Sequence, residues 1–92
     1  MTTDTVTKEP SQAQIGAILE HYQNGNYLEA EKLATMLTQE FPQHPFGWKT
    51  LGVVLREEGR IDESIVASQK SVHLAPGDTE AHSNLGLSLI HI

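Results

Sequence analysis

Apolar side chains recur every three or four residues from Ile15 to Leu89, in five runs punctuated by glycine or proline. That period gathers apolar residues on one face of an α-helix. The first run, SQAQIGAILEHYQNG, places Ile15, Ile18, Leu19 and Tyr22 together; Ser11 suits an N-cap and Asn24-Gly25 breaks the helix. The second, NYLEAEKLATMLTQEFP, aligns Ala30, Leu33, Ala34, Leu37 and Phe41, with Asn26 and Glu29 spaced as a capping box and Pro42 as the stop. The third, QHPFGWKTLGVVLREEG, carries Trp48, Leu51 and Leu55; Pro45 suits its first turn and Gly59 its end. The fourth, RIDESIVASQKSVHLAP, aligns Ile61, Ile65, Ser68, Val72 and Ala75 and stops at Pro76. The fifth, GDTEAHSNLGLSLIHI, opens on Asp78 as N-cap and meets no stop signal before the last residue. The pattern predicts an all-α fold of five helices, each of about 12 to 16 residues, and no strand. Residues 1–10 are threonine-rich and polar, end at Pro10, and are expected to form a disordered tail.

One residue contradicts its surroundings. Gly52 lies in the middle of the third run, where glycine costs a helix about 1 kcal/mol relative to alanine. The chain repeats the anomaly. A shift of 34 residues superposes Gly25 on Gly59, Glu29 on Glu63, Pro42 on Pro76, Leu51 on Leu85, Gly52 on Gly86 and Leu55 on Leu89. Ala30 meets Ser64, Ala34 meets Ser68, and Trp48 meets His82. Turns, small residues and apolar anchors thus share one period, the signature of a stacked helical repeat. In such a repeat Gly52 admits a neighbouring helix near Ser64 and Ser68, and Trp48 supplies bulk one turn earlier.

These positions resemble the tetratricopeptide repeat (TPR) family, whose pattern runs Trp, Leu-Gly, Tyr, small, aromatic, small, Pro. Trp48, Leu51-Gly52, Leu55 in place of Tyr, the Gly59 turn, Ser64, Ser68 in place of the aromatic, Ser71 and Pro76 match a unit over 45–78. Residues 11–44 form a degenerate first unit, with Ala17-Ile18 where Leu-Gly would stand, and 79–92 carry only the first helix of a third unit, with Leu85-Gly86. The resemblance implies a solenoid of antiparallel helix pairs. Ser64, Ser68 and Ser71 are expected to bond back to carbonyls one turn earlier, and the unit to be less stable than an idealised repeat.

Composition narrows the function. The 92 residues suffice for one small domain, and five aromatics leave much of the packing to small side chains. Twelve acids against six scattered bases leave a net charge of −6, which disfavours nucleic acid and anionic membranes as partners. There is no cysteine, so no disulfide or thiolate metal site. The N-terminus lacks the apolar core of a signal peptide, and no apolar run nears the roughly 20 residues of a membrane span. A soluble, cytoplasmic protein is expected.

No catalytic, cofactor or metal motif is present. Glycine-rich phosphate loops, H-E-x-x-H and cysteine nucleophiles are absent, and no two of the five histidines stand four residues apart. Glu57-Glu58 and Asp62-Glu63 flank the turn at Gly59 and read as solvated. This chain is therefore not expected to be an enzyme, and recognition is the remaining chemistry. By resemblance, the inner face presents Phe46, Lys49, Thr50, Val53, Arg56 and Glu57 from the middle unit, and Glu80, Ser83, Asn84 and Leu87 from the last. Lys49, Val53 and Arg56 also lie off the Trp48, Leu51, Leu55 stripe. Two family precedents bear on them. One clamps a terminal carboxylate with Lys and Asn; Lys49 and Asn84 fit, but Val53 replaces an Asn. The other, from O-linked N-acetylglucosamine transferases, reads peptide backbone with an Asn before Leu-Gly, which Asn84 matches and Thr50 does not.

The expected function is a protein-interaction scaffold holding a peptide or helix on the concave face. The alternative is the substrate-recruiting arm of a larger glycosyltransferase, sulfotransferase or methyltransferase. The final run leaves Leu85, Leu87, Leu89, Ile90 and Ile92 without a second-helix partner, which implies a partner, a dimer or a truncation. Truncation is favoured: LSLIHI resembles translated sequencing-adapter read-through. As an isolated polypeptide the chain is expected to be marginally stable and to self-associate with concentration.

Overall fold

The computed structural model describes residues 9–90. Its five helices are α1 (Gln12–Gln23), α2 (Tyr27–Glu40), α3 (Pro45–Glu57), α4 (Ile61–Leu74) and α5 (Thr79–Leu89), with no strand among the described residues. Each helix packs on its neighbours in sequence, and α3 also touches α5. The result is an elongated all-α stack of 52 × 28 × 19 Å, like a helical repeat. The tail expected over 1–10 falls mostly outside the described residues, as do His91 and Ile92; Pro10 is buried. The fifth helix does not run to the end of the chain but stops at Leu89, with Ile90 as its C-cap.

Local chemistry accounts for most boundaries. Ser11 and Gln14 form a reciprocal capping box on α1. Pro45 opens α3, where His44 Nδ1 accepts from Phe46 N. Asp78 caps α5 by accepting from the backbone of Glu80 and Ala81. Gly25 and Gly59 take φ of 77° and 80°, a left-handed geometry that glycine adopts without strain. The box expected at Asn26 and Glu29 does not form. Asn26 has ψ of 66° rather than an extended value, and Glu29 instead pairs with Lys32 at 3.2 Å.

The period of 34 extends to hydrogen bonds. Trp48 Nε1 donates to Pro42 O at 3.0 Å, and His82 Nε2 meets Pro76 O at 2.7 Å, each pair six residues apart. Asn26 N reaches His21 O as Arg60 N reaches Leu55 O, and His44 N reaches Phe41 O as Asp78 N reaches Ala75 O. Trp and His are unlike in bulk, but each offers a ring nitrogen to the same turn carbonyl, so the turn geometry recurs where the sequence identity lapses.

Small side chains carry the core. Ala30, Ala34, Ala67 and Ala81 are buried beside Ile18, Leu37, Val54 and Leu55. On α4 the buried face is Ser64, Ala67, Ser68 and Ser71, while Ile61, Ile65 and Val72 lie half-buried at its margins. The apolar stripe read from the sequence is therefore rotated: α3 and α5 approach so closely that only small residues fit between. At Gly52 an added Cβ would lie 2.5 Å from Ser68 Oγ, 3.3 Å from Ser68 N and 3.4 Å from Ser64 O. Gly47 makes a second close approach, unremarked in the sequence pattern, with its virtual Cβ 3.0 Å from Leu37 Cβ. Gly86, the repeat counterpart of Gly52, has open space at its Cβ position.

The serine hydroxyls do not bond back along their own helix. Ser64 Oγ donates across to Gly52 O at 2.6 Å and lies 2.8 Å from Ser88 Oγ. A hydroxyl has one proton, so Ser88 donates to Ser64 and the chain of bonds ties α5 to α4 to α3. Ser68 Oγ and Ser71 Oγ are buried with no hydrogen-bond partner among the described residues. Among the described residues, Thr38 follows the back-bonding rule, donating to Thr35 O at 2.6 Å.

Candidate interaction groove

The turn of α3 away from Trp48, Leu51 and Leu55 carries Phe46, Lys49, Thr50, Val53 and Arg56, spaced three or four apart. They form the floor of a groove of about 430 Å³, closed on one side by Leu19 and Tyr22 of α1 and on the other by Glu80 and Asn84 of α5. Seven residues expected on an inner face thus line one concavity. Ser83 and Leu87 do not line it; both are exposed on α5. Glu57 is exposed at the edge, 3.9 Å from Arg56 Nη2. Leu19 and Tyr22 were read as part of the α1 core stripe, but Ile18 is the buried residue there and Leu19 is 41% exposed. Their i, i+3, i+4, i+7 spacing is that of an ordinary buried stripe, so the sequence held no signal for their place in the groove.

The groove's charges are matched internally. Lys49 Nζ lies 3.0 Å from Asp78 Oδ2 and 2.8 Å from Glu80 Oε1. Burial pulls the ammonium's pKa down, but hydrogen bonds to Glu80 and Asp78 outweigh it and hold it above the ordinary lysine range. Asp78 is held below the usual aspartate range, first by Lys49 and then by the Ala81 N–H it caps. Arg56 Nη1 donates to Asn84 O at 3.3 Å, so its guanidinium braces α5 against α3. Burial, and then the Glu57 carboxylate, push the Tyr22 phenol up and keep it a neutral donor.

A clamp for a terminal carboxylate would have to strip Lys49 of two carboxylates already in place. The groove offers instead apolar side chains from Leu19, Phe46 and Val53, and the Asn84 side-chain amide, which makes no hydrogen bond among the described residues. An amide donates and accepts together, as a peptide group requires. None of the described helices is long and apolar enough to cross a membrane. No family model and no curated protein matches this chain.

Proposed function

We propose that this chain is a protein-interaction scaffold, a TPR-like repeat that holds an extended peptide or a helix in the groove between α1, α3 and α5. The supporting observation is the groove's makeup: apolar side chains at Leu19, Phe46 and Val53, paired charges and one uncommitted amide at Asn84. Such a surface rewards an apolar side chain and a peptide group rather than a formal charge. The ligand is therefore a short uncharged or weakly charged segment with one bulky apolar anchor.

The test is selection from a displayed peptide library, followed by affinity measurement against Val53→Glu and Asn84→Ala. Val53 is half-buried and Asn84 is held to Arg56 through its backbone, so both variants keep the stack. Val53→Glu should abolish binding and Asn84→Ala should weaken it severalfold. Replacing Lys49 or Arg56 is less informative, because each ties α5 to the body. Selected peptides that bind both variants as they bind wild type would sink the proposal.

A further inference from the structure

The opposite side of α3 forms a second groove, independent of the first. Trp48, Leu51 and Leu55 floor a cavity of about 400 Å³ between α2 and α4, with Thr35 on one wall and Val66 on the other. Val66 is 64% exposed at the lip. Beyond Thr35 the apolar surface continues along α2 through Leu28 and Met36, which are 68% and 56% exposed. These are large side chains to leave in water, and they share one face with the groove.

One end of this groove is acidic. Three carboxylates, Glu31, Glu58 and Glu63, crowd around a single guanidinium. Arg60 Nη1 lies 2.7 Å from Glu31 Oε2 and 3.5 Å from Glu58 Oε1, and Arg60 Nε lies 2.7 Å from Glu63 Oε2. Three negative charges against one positive leave two unneutralised. Glu58 Oε1 is buried and receives no hydrogen bond among the described residues. Burial, and then the neighbouring Glu31, push the Glu58 carboxyl above its ordinary range. A positive charge placed beside Glu31 and Glu63 would offset this excess from outside, whereas the one positive charge of Arg60 is already shared between them.

We infer that the outer groove between α2 and α4 docks a basic amphipathic helix from another protein. A bulky apolar residue of that helix covers Trp48 and Leu55, and a lysine or arginine about one turn away pairs with Glu31 and Glu63, which line the groove. Charge complementarity selects this occupant. A carboxylate-bearing segment would add to an acidic excess, and an uncharged one would leave that excess unneutralised. The net charge of −6 steers a cationic partner toward the chain.

Trp48 is the only tryptophan in the chain and lines this groove, so its emission reports occupancy directly. The probe is a capped helical peptide of leucine and lysine, set against the same peptide with glutamate for lysine. The lysine peptide should shift Trp48 emission to the blue and saturate; the glutamate peptide should leave it unchanged. The double variant Glu31→Gln with Glu63→Gln should weaken the lysine peptide at least tenfold. Glu20→Gln with Glu40→Gln changes net charge equally but lies elsewhere, and should leave its affinity within twofold. Val66→Lys alters one exposed side chain, keeps the fold by circular dichroism, and should abolish the shift. Val53→Glu, in the other groove, should not affect it. Equal binding of both peptides, or equal loss in both charge variants, would show attraction to the chain's overall charge and overturn the inference.

Discussion

Gly52 and Gly86 occupy the same place in two successive units, yet alanine should have opposite effects at the two. Alanine gains about 1 kcal/mol over glycine in a helix interior, and that gain is available at both positions. At Gly86 nothing lies within 4 Å of the new Cβ, so Gly86→Ala should raise stability by up to about 1 kcal/mol. At Gly52 the new Cβ meets Ser68 Oγ at 2.5 Å. The hydroxyl is buried and must be displaced, and Ser68 N at 3.3 Å is backbone that yields only if α4 shifts, whereas Ser64 O at 3.4 Å is an ordinary contact. Overpacking of this kind costs about 1–3 kcal/mol, so Gly52→Ala should be net destabilising by roughly 1 kcal/mol. The two variants should then differ by about 2 kcal/mol, or about 8–16 °C in Tm for a chain of this size. Urea and thermal melts followed by circular dichroism would measure it. Ser68→Ala removes the nearest atom, so the double variant should recover about 1 kcal/mol relative to additivity. A Gly52→Ala protein as stabilised as Gly86→Ala would refute the close-approach argument, and a null coupling with Ser68 would refute its geometry.

Two further outcomes follow from the same core and its acidic margin. Ser64→Ala should cost about 1–2 kcal/mol in a urea melt, because it removes the donor to Gly52 O and strands Ser88. Ser71→Ala, which deletes a buried hydroxyl with no partner, should be neutral or stabilising. Glu58 has a raised folded pKa, so its contribution is most favourable below its unfolded pKa and is lost as pH rises through the folded value. Glu58→Gln should accordingly raise Tm at pH 7 and match wild type near pH 3, with a pH-independent gain arguing against carboxylate crowding.

Helix number, most caps and the repeat period were legible because each depends on residues close in sequence. Ser11, Pro45, Gly59 and Asp78 act within a turn of themselves. The failures share a cause. Asn26 and Glu29 have the spacing of a capping box, but the turn sets Asn26 at ψ 66° rather than an extended value, and its side chain makes no cap hydrogen bond. Leu19 and Tyr22 have core periodicity, but α1 is an end helix of the described stack and packs mainly on α2, which buries Ile18 and leaves Leu19 41% exposed.

Periodicity along the chain determined that this protein is a stack of helices, and the 34-residue match determined which turns and glycines recur. Both are local properties, because backbone hydrogen bonding and helical spacing act over a few residues. Which face of α4 is buried was decided only by the approach of α3 and α5, which admits serine and alanine and turns isoleucine to the margin. The pairing of charges was decided there too: Lys49 with Asp78, and Arg60 with Glu31, are each 29 residues apart in sequence. Sequence placed Lys49 and Arg56 on a face of the right polarity, but only the fold showed that both are committed to holding α5. The reason is physical. A side chain's position on a helix follows from counting, whereas its partner depends on what another helix brings within about 3 Å of it.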